Sequence, residues 1–207
     1  MEFVENLKRA RLVPVIVIKE LGHALPLAKA LVEGGLNILE VTLRTPAALD
    51  AIRAISQVKG AIVGAGTVIN GQQFADAAAA GAKFVVSPGL TEEVVQASRA
   101  HRVPILPGVS TASDIMRGLS LGLETFKFFP AETSGGAPAI KALGGPFPQV
   151  SFCPTGGISA KNLSSYLSLP NVIAAGGSWM VPADLAEADA FARAATMARE
   201  ASALAKT

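Results

Sequence analysis

Apolar residues gather along this chain in short β-type runs at 13–18, 36–43, 61–66, 83–87, 103–107, 123–129, 150–155 and 171–175. Between them apolar positions recur at helical spacing, as in 47–57, 71–80, 92–101 and 112–120. The run starts lie about 20 to 27 residues apart, the length of one strand, a turn, a short helix and a return turn. Gly34-Gly35, Gly81 and Gly122 each close a helical segment ahead of a strand, where a left-handed C-cap is expected. Eight such βα units predict a parallel sheet with right-handed crossovers, closed into a (β/α)8 TIM barrel of the α/β class. An open doubly wound sheet is the alternative. It often carries a Gly-rich nucleotide turn after its first strand, which Ile18-Lys19-Glu20-Leu21-Gly22 lacks. Residues 2–11 read as an N-terminal leading helix placed to plug the barrel's bottom, and 183–205 as an Ala-rich closing helix.

Composition narrows the reading. Of 207 residues 50% are hydrophobic and 16% charged, enough apolar material for one substantial core, so 1–207 is expected to form a single barrel domain. Lys and Arg number 18 against 16 Asp and Glu, too even a balance to predict a nucleic-acid partner. Every apolar run is broken by Gly, Pro or charge before the ~20 residues that a membrane span needs, so no membrane partner is expected. Glu2, Glu5, Lys8 and Arg9 replace an apolar signal core, and the single Cys153 has no disulfide mate. A cytoplasmic location follows as an expectation. His23 and His101 are assigned to opposite ends of the barrel, and no His/Cys/carboxylate cluster has ligand spacing, so no metal is expected. Cys153 lies within a strand and reads as a small core residue.

In a parallel barrel the C-terminal strand ends build the active face, so polar residues there carry the chemistry. In the second run, alternation puts Ile38, Glu40, Thr42 and Arg44 on one face and Leu39, Val41 and Leu43 on the other. The polar face is expected to point into the barrel mouth; the plain alternative is that Glu40 and Arg44 merely pair. The sixth run embeds Lys127 between Phe126 and Phe128. An unpaired ammonium there is costly, and an apolar setting favours the neutral amine that a Schiff-base nucleophile requires. The alternative is a lysine that snorkels its head to solvent. Lys19, after the first run, is the competing lysine, in a more polar turn. Gly64-Ala65-Gly66-Thr67 leaves room for a ligand and offers a hydroxyl, although turn chemistry explains the glycines equally well. Gly156-Gly157 and Gly176-Gly177-Ser178 follow the seventh and eighth runs, where barrels of this kind often hold a phosphate on backbone N–H groups. Trp179 and Tyr166 suggest no function.

These residues together resemble the class I KDPG (2-keto-3-deoxy-6-phosphogluconate) / 4-hydroxy-2-oxoglutarate aldolase family. The matching strings are Pro14-Val15-Ile16-Val17-Ile18, Leu39-Glu40-Val41-Thr42-Leu43-Arg44-Thr45, Val63-Gly64-Ala65-Gly66-Thr67-Val68, Ser87-Pro88-Gly89, Lys127-Phe128-Phe129-Pro130-Ala131-Glu132, Phe152-Cys153-Pro154-Thr155-Gly156-Gly157-Ile158 and Gly176-Gly177-Ser178-Trp179. The resemblance implies a homotrimeric barrel that reversibly cleaves a phosphorylated keto acid to pyruvate and glyceraldehyde 3-phosphate, without a cofactor. It implies Lys127 as Schiff-base lysine and Glu40 as general acid/base. Arg44 and Thr67 would hold the pyruvate carboxylate, and Gly156, Gly157, Gly177 and Ser178 the phosphate. Thr155 would contact a substrate hydroxyl. Aldolases for 4-hydroxy-2-oxoglutarate or the galactonate epimer, and a barrel that binds a phosphorylated ligand without catalysis, are the rival readings.

Overall fold

The computed structural model describes residues 2–206 and bears out the βα repeat. Helix α1 (Glu2–Ala10) leads into β1 (Leu12–Ile16), followed by a 3-10 turn over Leu21–His23. The chain then alternates through α2 (Ala24–Glu33), β2 (Ile38–Thr42), α3 (Ala48–Ile55), β3 (Ile62–Gly66), α4 (Gly71–Ala79) and β4 (Val85–Ser87). It continues through α5 (Glu92–His101), β5 (Ile105–Val109), α6 (Ala112–Ser120), β6 (Thr125–Phe128), α7 (Gly136–Leu143) and β7 (Ser151–Pro154), and ends with α8 (Leu163–Leu167), β8 (Ala175–Gly177) and α9 (Ala190–Leu204). The strands pair in parallel in the order β7-β6-β5-β4-β3-β2-β1-β8. Bridges of Phe152 to Val172 and of Thr155 to Gly176 bring the two edges together, so the sheet is a nearly closed (β/α)8 barrel.

Local chemistry places the helix starts. The Asn70 side chain accepts from the Gln73 N–H at 2.8 Å to cap α4. Thr111 and Asp114 form a reciprocal capping box on α6. Gly35, Gly81 and Gly122 all have positive φ, as the C-cap reading requires. Gly34 has a different reason to be glycine: a Cβ there would lie 2.3 Å from the Ala198 Cβ, so α2 and the Ala-rich α9 touch backbone to backbone.

Alternation sorts the strands into two faces. Leu12, Ile16, Leu39, Val41, Val63, Ala65, Phe126, Phe128 and Phe152 pack outward under the helix ring. Val13, Ile38, Phe84, Val86, Leu106, Cys153 and Ala174 pack with Leu7 of α1 in a separate cluster that fills the lower interior. Phe3 of α1 stacks on Phe84 with ring centroids 4.9 Å apart, so the leading helix plugs the bottom as its position predicts. Among the described residues no helix is long and apolar enough to cross a membrane.

Two expectations are corrected. The eighth strand is not 171–175 but Ala175–Gly177, since Val172 makes only an isolated bridge and the Asn171 side chain instead caps the Ile140 carbonyl at 3.0 Å. Gly177 is therefore a strand residue and not part of a loop. The closing helix begins at Ala190 rather than 183, because the acidic groups ahead of it bond locally. Asp184 accepts from the Ala186 N–H at 2.9 Å, and Glu187 and Asp189 both pair with Arg193.

Candidate active site

Above the apolar lower layer the inner face changes character. Glu40 follows Ile38 on the inward side of β2, and Lys127 lies between Gly108 of β5 and Cys153 of β7 in strand register. They meet across the mouth: Lys127 Nζ is 3.2 Å from Glu40 Oε1, with Lys127 6% and Glu40 3% exposed. The Lys127 head also sits 5.2 Å from the centroid of the Phe129 ring. Lys127 therefore does not snorkel. Nor is it the unpaired lysine that its apolar strand suggested, because a carboxylate 87 residues away in the chain faces it. The aromatic run leaves the pair little contact with solvent, and the partner balances its charge.

Glu40 fits there because β3 is empty beside it. A Cβ on Gly66 would stand 2.3 Å from Glu40 Oε1, and a Cβ on Gly64 would stand 2.5 Å from the Phe84 ring. These glycines serve neighbouring side chains, which corrects their reading as space for a ligand.

Arg44 does not pair with Glu40. Its Nε donates to Thr67 Oγ1 at 3.1 Å, which joins the ends of β2 and β3 at the rim. Thr67 holds φ at +61°, a left-handed conformation that is unusual for a β-branched residue and is imposed by its surroundings. Arg44 keeps further guanidinium N–H groups for an anion, and a carboxylate fits that planar fork.

Thr155 is buried, with its hydroxyl in the space left by Gly176, where a Cβ would be 2.5 Å away. Gly156 and Gly157 turn the chain after β7 with φ of +101° and +80°. Gly177 lies beside that turn, its α-carbon face open to the Ile158 carbonyl and the Trp179 ring. Ser178 follows at the strand end. All nine sequence-selected residues thus occupy the upper barrel, in two groups: Lys127, Glu40, Arg44 and Thr67 toward β2, β3 and β6, and Thr155, Gly156, Gly157, Gly177 and Ser178 across β7 and β8.

Beside Ser178 opens a cavity of about 420 Å³ whose walls include Val15, Val17, Lys19, His23 and Trp179. Lys19 is exposed there, in contrast to Lys127. Sequence reasoning missed Trp179, for which the available signal was a bulky ring two residues after a glycine that makes room for it. Cys153, beneath Lys127, is a core residue whose thiol burial pushes up to about 12. Among the described residues, no three His, Cys, Asp or Glu side chains gather as a metal site.

Against known proteins, a family model described as KDPG and KHG aldolase matches residues 3–197. The chain is 57% identical over 190 residues to the KHG/KDPG aldolase of Escherichia coli K12, covering 91% of this chain and 89% of that one. It is similar to the crystal structure of the 2-keto-3-deoxy-6-phosphogluconate aldolase of Zymomonas mobilis with 3-phosphoglycerate, at TM-score 0.93 and 49% identity, over 99% and 97% of the two chains. The KDPG aldolase of Legionella pneumophila, with pyruvate captured as a covalent carbinolamine intermediate, matches at TM-score 0.91 and 47% identity over 95% and 96%.

Proposed function

The chain belongs to the KDPG and KHG aldolase family, and on that premise we propose that it reversibly cleaves KDPG to pyruvate and glyceraldehyde 3-phosphate as a class I, metal-independent aldolase. The observation that carries the mechanism is the enclosed contact of Lys127 Nζ with Glu40 Oε1. Transfer of one proton from Nζ to Oε1 leaves a neutral amine facing a protonated acid, the pairing that attack on a ketone requires. Nζ adds to C2 of the keto acid, and Glu40 protonates the developing alkoxide to give a carbinolamine. Water then leaves and a protonated imine remains. Glu40 takes the proton of the C4 hydroxyl, the C3–C4 bond breaks, and its electron pair flows into the imine to form an enamine as the aldehyde departs. Protonation at C3 and addition of water to the imine release pyruvate and restore Lys127.

Around this pair, Arg44 holds the C1 carboxylate with its fork and Thr67 fixes the direction of that fork. Thr155 faces the hydroxyl-bearing carbons, and the Gly156-Gly157 turn with Gly177 and Ser178 receives the phosphate. The second substrate reading is 4-hydroxy-2-oxoglutarate, favoured by the double name of the Escherichia coli relative. The galactonate epimer is a third, and Thr155 is the residue to vary in testing it. One barrel domain over 1–207, a homotrimer and a cytoplasmic location complete the reading.

Incubation with pyruvate and borohydride, followed by peptide mass spectrometry, is expected to place a reduced adduct on Lys127. An adduct on Lys19, or none, overturns the mechanism. Pyruvate release from KDPG, its epimer and 4-hydroxy-2-oxoglutarate, measured side by side, ranks the substrates.

A further inference from the structure

Glu132 ends the string that begins at Lys127, yet the chemistry above gives it no task. Its backbone N–H donates to the Gly156 carbonyl at 3.1 Å, beside an Ala131 N–H to Thr155 carbonyl bond of 2.8 Å. Its side chain lies flush against Gly157, where a Cβ would stand 2.4 Å from Glu132 Cγ. From the other side, Asn162 Nδ2 donates to the Gly157 carbonyl at 3.0 Å. The turn after β7 is therefore held on both flanks.

The Glu132 carboxylate in turn accepts a hydrogen bond from the Tyr166 hydroxyl. Tyr166 is 1% exposed in α8 and is the bulkiest of the fully buried side chains. Its hydroxyl occupies space left by Gly136, where a Cβ would be 3.3 Å away. Burial and the neighbouring carboxylate both raise the phenol above its ordinary range, so at neutral pH it is a hydrogen-bond donor. A buried hydroxyl left without an acceptor is costly, so Tyr166 restrains Glu132.

We propose that Tyr166 and Glu132 are positioning residues that hold the Gly156-Gly157 turn at the height the substrate's phosphate requires, and so set the preference for phosphorylated over unphosphorylated keto acids. The proposal rests on the reading of that turn as the phosphate seat. Neither side chain touches the substrate. Their effect passes through the Glu132 contact with Gly157 and the Glu132 N–H bond to Gly156.

The test compares Tyr166→Phe, Glu132→Gln and Glu132→Ala with the unaltered enzyme, on KDPG and on 4-hydroxy-2-oxoglutarate, which has no phosphate. Tyr166→Phe keeps the ring and removes only the donor. It is expected to raise KM for KDPG about 5- to 10-fold, the scale of one ordinary hydrogen bond, with kcat and the KM for 4-hydroxy-2-oxoglutarate unchanged. Glu132→Gln retains an acceptor oxygen and the packing on Gly157, so it is expected to stay near the unaltered enzyme, whereas Glu132→Ala follows Tyr166→Phe. Labelling of Lys127 by pyruvate and borohydride is expected in all three variants. Equal changes on both substrates, no change on either, or a Glu132→Gln variant as impaired as Glu132→Ala overturns the proposal. Failure of the underlying reading has a separate signature: the unaltered enzyme itself shows no preference for KDPG.

Discussion

Below the level of Glu40 the inside of the barrel is filled by Leu7, Val13, Ile38, Phe84, Val86, Leu106 and Cys153. Above it the interior presents Glu40, Thr42, Lys127 and Thr155. Both layers are buried and both rely on glycines that yield space to a neighbour, but for opposite ends. In the lower layer Gly64 admits the Phe84 ring, on which Phe3 stacks from the leading helix. In the upper layer Gly66, two residues along the same strand, admits the Glu40 carboxylate. The lower layer gains from shape alone, since apolar packing is non-directional and forgiving of chemistry. The upper layer encloses one cation and one anion, which remain there only as partners. Stability and activity are thus stacked along one axis and separable by substitution.

The largest expected effect belongs to the upper layer. Glu40→Gln removes the proton acceptor but retains the size and a polar end, and is expected to lower kcat for KDPG cleavage by about 10²–10⁴-fold, the range of general acid–base contributions. Lys127 remains, so slow trapping of pyruvate by borohydride is expected to persist. Full turnover in that variant would remove Glu40 from the proton transfers, and with it the functional distinction between the two layers.

A sharper comparison uses one substitution at two heights. Gly66→Ala sets a methyl group 2.3 Å from Glu40 Oε1 and 2.7 Å from its Cγ, so the buried carboxylate must leave its place beside Lys127. Turnover is expected to fall at least about tenfold, with a stability loss within the ~1–3 kcal/mol typical of overpacking. Gly64→Ala sets its methyl 2.5 Å from a ring wedged between Phe3 and the lower core. A stability loss in the upper part of that ~1–3 kcal/mol range is expected, with turnover per folded molecule unchanged. Thermal melts and kcat, measured on both variants, decide the matter; equal losses of kcat would mean that the layers are mechanically coupled.

How much of this contrast is legible in the sequence follows from its physical range. Period-two alternation is local, so the inward direction of Glu40 and Lys127 is readable, and a charge inside an apolar strand marks each of them. Their mutual contact spans 87 residues and is not encoded by any local pattern, which is why Lys127 read as unpaired. The eight-unit repeat and the plugging helix are likewise local periodicities with a global consequence. Glycine is the residue that misleads: Gly177 read as loop and is strand, and Gly64 and Gly66 read as ligand space and are filled by Phe84 and Glu40. A missing side chain announces room without naming its occupant. The Tyr166 contact with Glu132 and the cavity beside Trp179 were invisible for the same reason, since each joins segments related only by the closed sheet.

Cys153 offers the most delicate probe, because it sits at the boundary of the two layers, in register with Lys127 but packed among the lower residues. Burial pushes its thiol up to about 12, outweighing the opposed influences of Lys127 and Glu40. At pH 8 only about one thiol in 10⁴ is then ionised, and thiolate is the species that alkylates. Iodoacetamide is expected to leave Cys153 unlabelled in the folded protein over an hour at pH 8 and to label it fully in guanidinium. Raising the pH toward 9 increases the thiolate fraction only about tenfold, so labelling in the folded state remains limited by opening of the core. Rapid labelling of the folded protein would mean that the lower layer admits water and reagent. Acceleration by Gly64→Ala but not by Gly66→Ala would place that opening on the Phe84 side, because only the first substitution strains the packing that Cys153 shares.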